Sequence, residues 1–126
     1  IKEIFKKYGE NYFRKVEEKI SLQCLKFEDS LIALGGGGFL NLQIRKQCQV
    51  NCLSFWLNWQ NEVIINRIYK NKKRPLVVEM NREQINNLIK ARSKVYKLSD
   101  HKINCDKLDK VKIINKISEI YENKQN

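Results

Sequence analysis

The sequence predicts an α/β fold, with a parallel sheet covered on both faces by helices. Two observations carry this. The runs SLIAL at 30–34 and CLSFWL at 52–57 are apolar on both faces, as strands of a covered parallel sheet are. They alternate with stretches of helical period, as strand–helix–strand connections require.

The elements follow in order. Residues 1–8, IKEIFKKY, form one or two helical turns that Gly9 interrupts. A helix is predicted over 10–27, where Phe13, Val16, Ile20, Cys24 and Phe27 recur at spacings of three and four. The run at 30–34 is a buried strand, and Gly35 to Gly38 follow it. Asn41 caps a helix over 42–48. A second strand covers 52–57, and a helix covers 60–70. A basic loop surrounds Pro75, the only proline. Asn81 followed by Gln84 forms a capping box, and its helix runs to Lys97 with Ile85, Leu88, Ile89 and Tyr96 inward. HKINCD, 101–106, is a short strand. A last helix covers 110–121, with Val111, Ile114, Ile117 and Tyr121 inward. Three strands make a small sheet, and the chain opens on Ile1 rather than Met, so strands are expected to be missing from the N-terminal side.

A length of 126 residues fits one domain, and 42% hydrophobic with 31% charged residues fits a globular chain rather than a disordered one. No apolar stretch reaches the roughly 18 residues of a membrane span. The net charge of +11 raises the question of nucleic acid. The lysines are scattered rather than gathered into a stripe with aromatic platforms, so no nucleic-acid partner is expected. A protein that handles anionic small molecules accounts for the sign equally well. The four cysteines make no metal-ligand pattern with the single histidine. They read as reduced, mostly buried thiols, which implies a cytoplasmic address.

Several residues could carry chemistry. Four consecutive glycines at a strand end permit positive φ or close approach of a ligand to the backbone. The alternative is a tight turn against a helix. No GxxxxGK[ST] sequence occurs, so the run is not a nucleotide phosphate cradle. Arg14 flanks an apolar stripe with Glu17 three residues on, either as an oriented guanidinium or as an exposed pair of little worth. Arg92 falls on the inward face of its helix. It can grip a carboxylate in bidentate fashion, or its stem can carry the charge out to water. The segment KNKKRP at 70–75, with Arg67 seven residues before Arg74, is either a mobile basic loop over phosphates or a solvated charge run.

Taken as an ordered series, these pieces resemble the shikimate kinase family. IFKKYGENYFRKVEEK resembles the family's GE-x-x-FR-x-x-E stretch, giving Gly9, Glu10, Phe13, Arg14 and Glu17. LIALGGGGFL resembles its GGG segment, INRIYKNKKRPL its lid, and ARSKVY its R-x-x-x-Y segment with Arg92 and Tyr96. The resemblance implies the parallel three-layer α/β/α P-loop kinase fold, of the nucleoside-monophosphate-kinase type. It implies one partial domain over 1–126: substrate-binding helices at 1–29, strand and glycine turn at 30–38, lid at 70–80 and the C-terminal part at 81–126.

The implied activity is ATP-dependent phosphorylation of shikimate by a monomeric enzyme, with Mg2+ and no membrane partner. A cytoplasmic location is implied, or a plastid in a plant or alga. By the same resemblance Arg14 and Arg92 hold the shikimate carboxylate, Glu17 orients Arg14, and Gly36 offers its N–H between Gly35 and Gly37. Arg74 reaches the nucleotide phosphates as the lid's catalytic arginine, and Arg67 lies against adenine. A gluconate-kinase-like enzyme and a non-catalytic shikimate binder are the alternatives.

Two departures stand out. Gly38 replaces the family's usual alanine or serine, and 104–109 does not match the family's C-terminal nucleotide contact. The family's opening strand, phosphate loop and acidic second strand have no counterpart in the sequence, so the chain is expected to lack the main ATP and Mg2+ ligands. No metal ligand is assigned. The 126-residue chain is expected to be inactive alone and unstable, with strand edges open between 30–34 and 52–57.

Overall fold

The computed structural model describes residues 1–71, 77 and 79–125. The first helix, α1 (Lys2–Tyr8), ends at Gly9, where φ 85 and ψ 172 turn the chain into α2 (Glu10–Cys24). That backbone conformation is almost confined to glycine. A Cβ on Gly9 would meet nothing within 4 Å, so the requirement there is one of backbone conformation and not of space.

The glycine run leads into a 3-10 turn (Gly38–Leu40) and then α3 (Leu42–Asn51). Asn41 caps α3, its Oδ1 accepting from the N–H groups of Gln43 and Ile44 at 2.9 and 3.0 Å. Strand β1 (Phe55–Asn58), helix α4 (Asn61–Lys70), helix α5 (Arg82–Tyr96), strand β2 (His101–Asn104) and helix α6 (Lys110–Gln125) complete the order. The capping box at the start of α5 forms as expected. Gln84 N–H donates to Asn81 Oδ1 at 2.8 Å, and Asn81 N–H donates to Gln84 Oε1 at 2.9 Å.

Strands β1 and β2 pair in parallel, Phe55 opposite His101 through Asn58 opposite Asn104. Side chains staple both ends of the pair. Asp100 Oδ2 accepts from Ser54 N–H and Oγ at 2.8 and 2.9 Å. At the far end Asn58 Nδ2 donates to Asn104 Oδ1 at 3.1 Å, and Gln60 N–H to Asp106 Oδ1 at 2.8 Å. Partial burial raises the affinity of the Asp100 carboxyl for a proton, yet the Ser54 hydrogen bonds, with Lys124 and His101 nearby, outweigh it and hold its pKa below the usual value. A lowered folded-state pKa gives stability that is present above the unfolded value, about 3.9, and is lost as the pH falls through the folded one. Melting temperature followed from pH 5 down to 2 should therefore drop less steeply in Asp100→Asn than in the unmodified chain. Equal slopes would remove Asp100 from the acid response.

Three sequence expectations need correction. The expected three-stranded sheet has two strands among the described residues. The segment 30–34 is not a strand: no described strand lies beside it to supply backbone partners. It is also covered on one face only. Ile32 and Leu34 pack on the cluster of Leu25, Phe39, Ile44 and Cys48, while Leu31 is 94% exposed. Finally, the expected apolar faces shift. Phe27 lies beyond the end of α2 and, like Ile20, is exposed, and α6 turns Val111, Ile114 and Tyr121 outward with Ile113, Ile117 and Ile120 half-buried.

All four cysteines are free. Cys48 and Cys105 are buried and Cys24 and Cys52 half-buried, and burial pushes the Cys48 thiol up to about 11. No described helix is long and apolar enough to cross a membrane.

Candidate functional site

One face of α2, one turn of glycines and one face of α5 converge. On α2, Glu10, Arg14 and Glu17 are spaced by four and three residues and so share a face. Arg14 Nη1 donates to Glu17 Oε1 at 2.8 Å, and its Nε lies 3.6 Å from Glu10 Oε1. The Glu17 side chain is only 14% exposed and Arg14's 29%. This is a half-buried, doubly flanked guanidinium rather than a loose surface pair.

The glycine turn closes through Gly38 N–H to Gly35 O at 2.9 Å and Leu40 N–H to Gly37 O at 3.2 Å. Among the described glycines only Gly9 has positive φ, and Gly37 sits at φ −93. The run therefore does not exist for left-handed backbone. At Gly36 and Gly37 the requirement is space. A Cβ on Gly37 would lie 2.7 Å from Arg14 Cζ and 2.8 Å from its Nη2, and a Cβ on Gly36 would lie 2.8 Å from Arg92 Nη1. A Cβ on Gly35 would reach Glu17 Oε2 at 3.4 Å, an ordinary contact, and one on Gly38 would have Leu34 as its nearest neighbour, at 3.5 Å or more.

Arg92 lies on α5, four residues beyond Leu88 and four before Tyr96. The Tyr96 hydroxyl donates to the Gly36 carbonyl, which ties α5 to the turn. Arg92 Nε is buried with no hydrogen-bond partner among the described residues. Arg92 itself is half-buried, and buried donors are hydrogen-bonded as a rule, so the unpaired Nε is an exception among the described residues.

Arg14, Arg92, Glu10, Gly37 and Asn41 line a cavity of about 440 Å3, with Leu40, Leu88 and Met80 as its apolar wall. Two guanidinium groups against a partly apolar wall suit a small carboxylate with a carbon ring or chain. Another cavity, about 420 Å3, lies among Gln49, Cys52, Asp100, Tyr121 and Lys124, at the amino ends of the strands, and contains none of the predicted site residues.

The structure thus brings together Arg14, Glu17, Gly35, Gly36, Gly37 and Arg92. It does not bring Arg67 to them: the Arg67 guanidinium stacks on the Trp59 ring at 4.8 Å, just beyond the carboxyl end of β1. Arg74 lies outside the described residues. Sequence reasoning missed Asn41, Met80 and Leu88 as cavity wall. Leu88 carried a signal, since it shares the helical stripe of Arg92, but Asn41 and Met80 reach the cavity only through the chain's path.

The sequence profile of a family described as shikimate kinase matches residues 1–122. The chain belongs to the shikimate kinase family. Among curated relatives, the shikimate kinase of Bartonella henselae is 35% identical over 108 residues, covering 85% of this chain and 51% of the relative. That of Thermoanaerobacter pseudethanolicus is 37% identical over 108 residues, covering 82% of this chain and 61% of the relative. The chain thus spans between half and about three fifths of the length of these shikimate kinases.

The fold agrees. The structure of shikimate kinase from Acinetobacter baumannii in complex with shikimate superposes with a TM-score of 0.89 at 23% identity, covering 98% of this chain and 70% of that one. Shikimate kinase from Bacteroides thetaiotaomicron gives 0.76 at 22% identity, covering 98% and 74%. The α/β P-loop kinase fold expected from the sequence is the fold of these shikimate kinases. The sheet here has two strands among the described residues.

Proposed function

We propose that this chain carries the shikimate-binding part of an enzyme that transfers the γ-phosphoryl group of ATP to a shikimate hydroxyl, giving shikimate 3-phosphate and ADP. The observation that carries the reading is that Arg14 and Arg92 line one cavity with Gly37 between them, two guanidinium-bearing side chains on one space. A carboxylate there is gripped from two sides by the two arginines. Glu17 holds Arg14 in orientation. No backbone hydrogen bond engages the Gly36 N–H among the described residues, and we assign it to a substrate hydroxyl. Leu88 and Met80 face the carbon ring.

The nucleotide side is different. Shikimate kinases use ATP with Mg2+, but among the described residues no group of three or more His, Cys, Asp or Glu is placed to hold a metal ion. The sequence contains no GxxxxGK[ST] phosphate loop. The described residues thus do not fit the metal, and the sequence does not fit the phosphate cradle. We assign Arg74 to the nucleotide phosphates and Arg67 to the adenine face. The second assignment requires Arg67 to share or leave its stack on Trp59. Monomeric behaviour and a cytoplasmic location belong to the same proposal.

Calorimetric titration of the chain with shikimate, its methyl ester and gluconate tests the reading. Shikimate should bind, the ester should bind at least about 30-fold more weakly because the bidentate charge contact is lost, and gluconate should not compete. Equal affinity for acid and ester would overturn the carboxylate assignment. Preference for gluconate would favour a gluconate-kinase-like enzyme.

A further inference from the structure

Glu18 stands one turn beyond Arg14 on α2, so the two side chains leave the helix on one face. Its Oε2 accepts from Asn41 Nδ2 at 2.6 Å in a partly buried contact between elements far apart in the chain. Asn41 uses the rest of its groups as well. Its Oδ1 caps α3, and its N–H donates to the Gly38 carbonyl at 3.1 Å. One residue therefore joins α2, the glycine turn and the start of α3. From the other side Arg45 Nη1 donates to the carbonyls of Phe39 and Leu40 at 3.0 and 3.2 Å, fixing the exit of the turn.

The spacing this network sets has little slack. Gly37 admits only a hydrogen where it faces the Arg14 guanidinium, because a Cβ would sit 2.7 Å from Cζ. Any slide of α2 along the turn changes how Arg14 presents its donors. A charge-assisted hydrogen bond of this length is among the stronger side-chain contacts.

We infer that Glu18 and Asn41 are positioning residues: their hydrogen bond sets the spacing between the helix that carries Arg14 and the turn that carries Gly36 and Gly37, and so the grip of the site on a carboxylate. The inference rests on the shikimate-binding reading of that site. Glu18 is not among the residues lining the cavity, whereas Asn41 is. A change at Glu18 therefore reaches a ligand only through Asn41 and the helix.

The test is a cycle of Glu18→Ala, Asn41→Ser and the double variant, with Glu18→Gln as the conservative control. Serine keeps the helix cap but falls short of Glu18, and glutamine keeps an acceptor for Asn41 Nδ2. Shikimate affinity is read by calorimetry, and amide hydrogen exchange is read at Gly38 and Leu40, whose N–H groups close the turn. Glu18→Ala should weaken affinity about 5-fold and speed exchange, Glu18→Gln should stay within about 2-fold, and the double variant should be no worse than Asn41→Ser alone, since that change already removes the bond.

Unchanged exchange and affinity in Glu18→Ala, failure of glutamine to restore them, or simple addition of the two single effects would each overturn the inference. Should Glu18→Ala fail to fold, Asn41→Ser is compared with Glu18→Gln/Asn41→Ser: with the Asn41 donor gone the two should bind and exchange alike, and a difference would overturn the inference. If the unmodified chain binds no shikimate but exchange rises with alanine and returns with glutamine, the positioning role stands and the substrate assignment falls.

Discussion

Gly37→Ala should weaken shikimate binding about 100-fold, within the range expected when one partner of a desolvated charge contact is lost, while leaving the fold nearly as stable as before. The reason is steric and local. Gly37 has φ −93, which alanine adopts freely, so the backbone does not resist. The new Cβ would instead strike the Arg14 guanidinium at 2.7 Å from Cζ and 2.8 Å from Nη2. That group is the far end of a flexible side chain, so it moves, and in moving it leaves the 2.8 Å bond to Glu17. Gly36→Ala should act in the same way on Arg92, whose Nη1 would be 2.8 Å away. Gly38→Ala is the internal control, since its Cβ comes no nearer than 3.5 Å to any neighbour, Leu34 being the nearest. Calorimetry with shikimate and a thermal melt on the three variants checks this. Equal effects at Gly37 and Gly38 would mean that the glycines serve turn formation and not the arginines.

Arg92→Ala should separate function from stability. Truncating one partner of a desolvated charge contact costs about 2–5 kcal/mol of binding, or roughly 30- to several-thousand-fold. Shikimate affinity should fall by about that factor. The free chain should become more stable, because Nε is buried without a hydrogen-bond partner and leaving such a donor unpaired costs about 1–3 kcal/mol. A rise in melting temperature of a few degrees, about 3 °C, is expected. Arg92→Lys should recover little of the affinity, since an ammonium cannot reproduce the planar fork. A fall in melting temperature together with unchanged affinity would show Arg92 to be a packing residue.

What was legible in the sequence was whatever depends on near neighbours. The helices came from apolar spacing, and the caps of α3 and α5 came from Asn41 and from the Asn81–Gln84 pair, because a cap is completed within four residues. Arg14 and Glu17 were legible as a pair for the same reason. The strand expected at 30–34 was not legible, since a strand exists only beside a partner, and Leu31 to Leu34 have none among the described residues. The inward face of α6 was misread because Ile, Val and Tyr occur at 111, 113, 114, 117, 120 and 121. That spread offers two apolar stripes, and only the packing partner chooses between them.

The glycine run shows where the division falls. The order of the motifs around it, through the resemblance to shikimate kinases, led to the expectation of an arginine-flanked pocket. Local chemistry, however, offered two reasons for four glycines, positive φ or close approach, and gave no means of choosing. The choice was made by residues distant in the chain: Arg14 from one helix and Arg92 from another press against Gly37 and Gly36 from different sides. Steric exclusion between non-neighbouring groups has no signature in a single stretch of sequence, so only the packed structure could assign these glycines to the arginines they make room for.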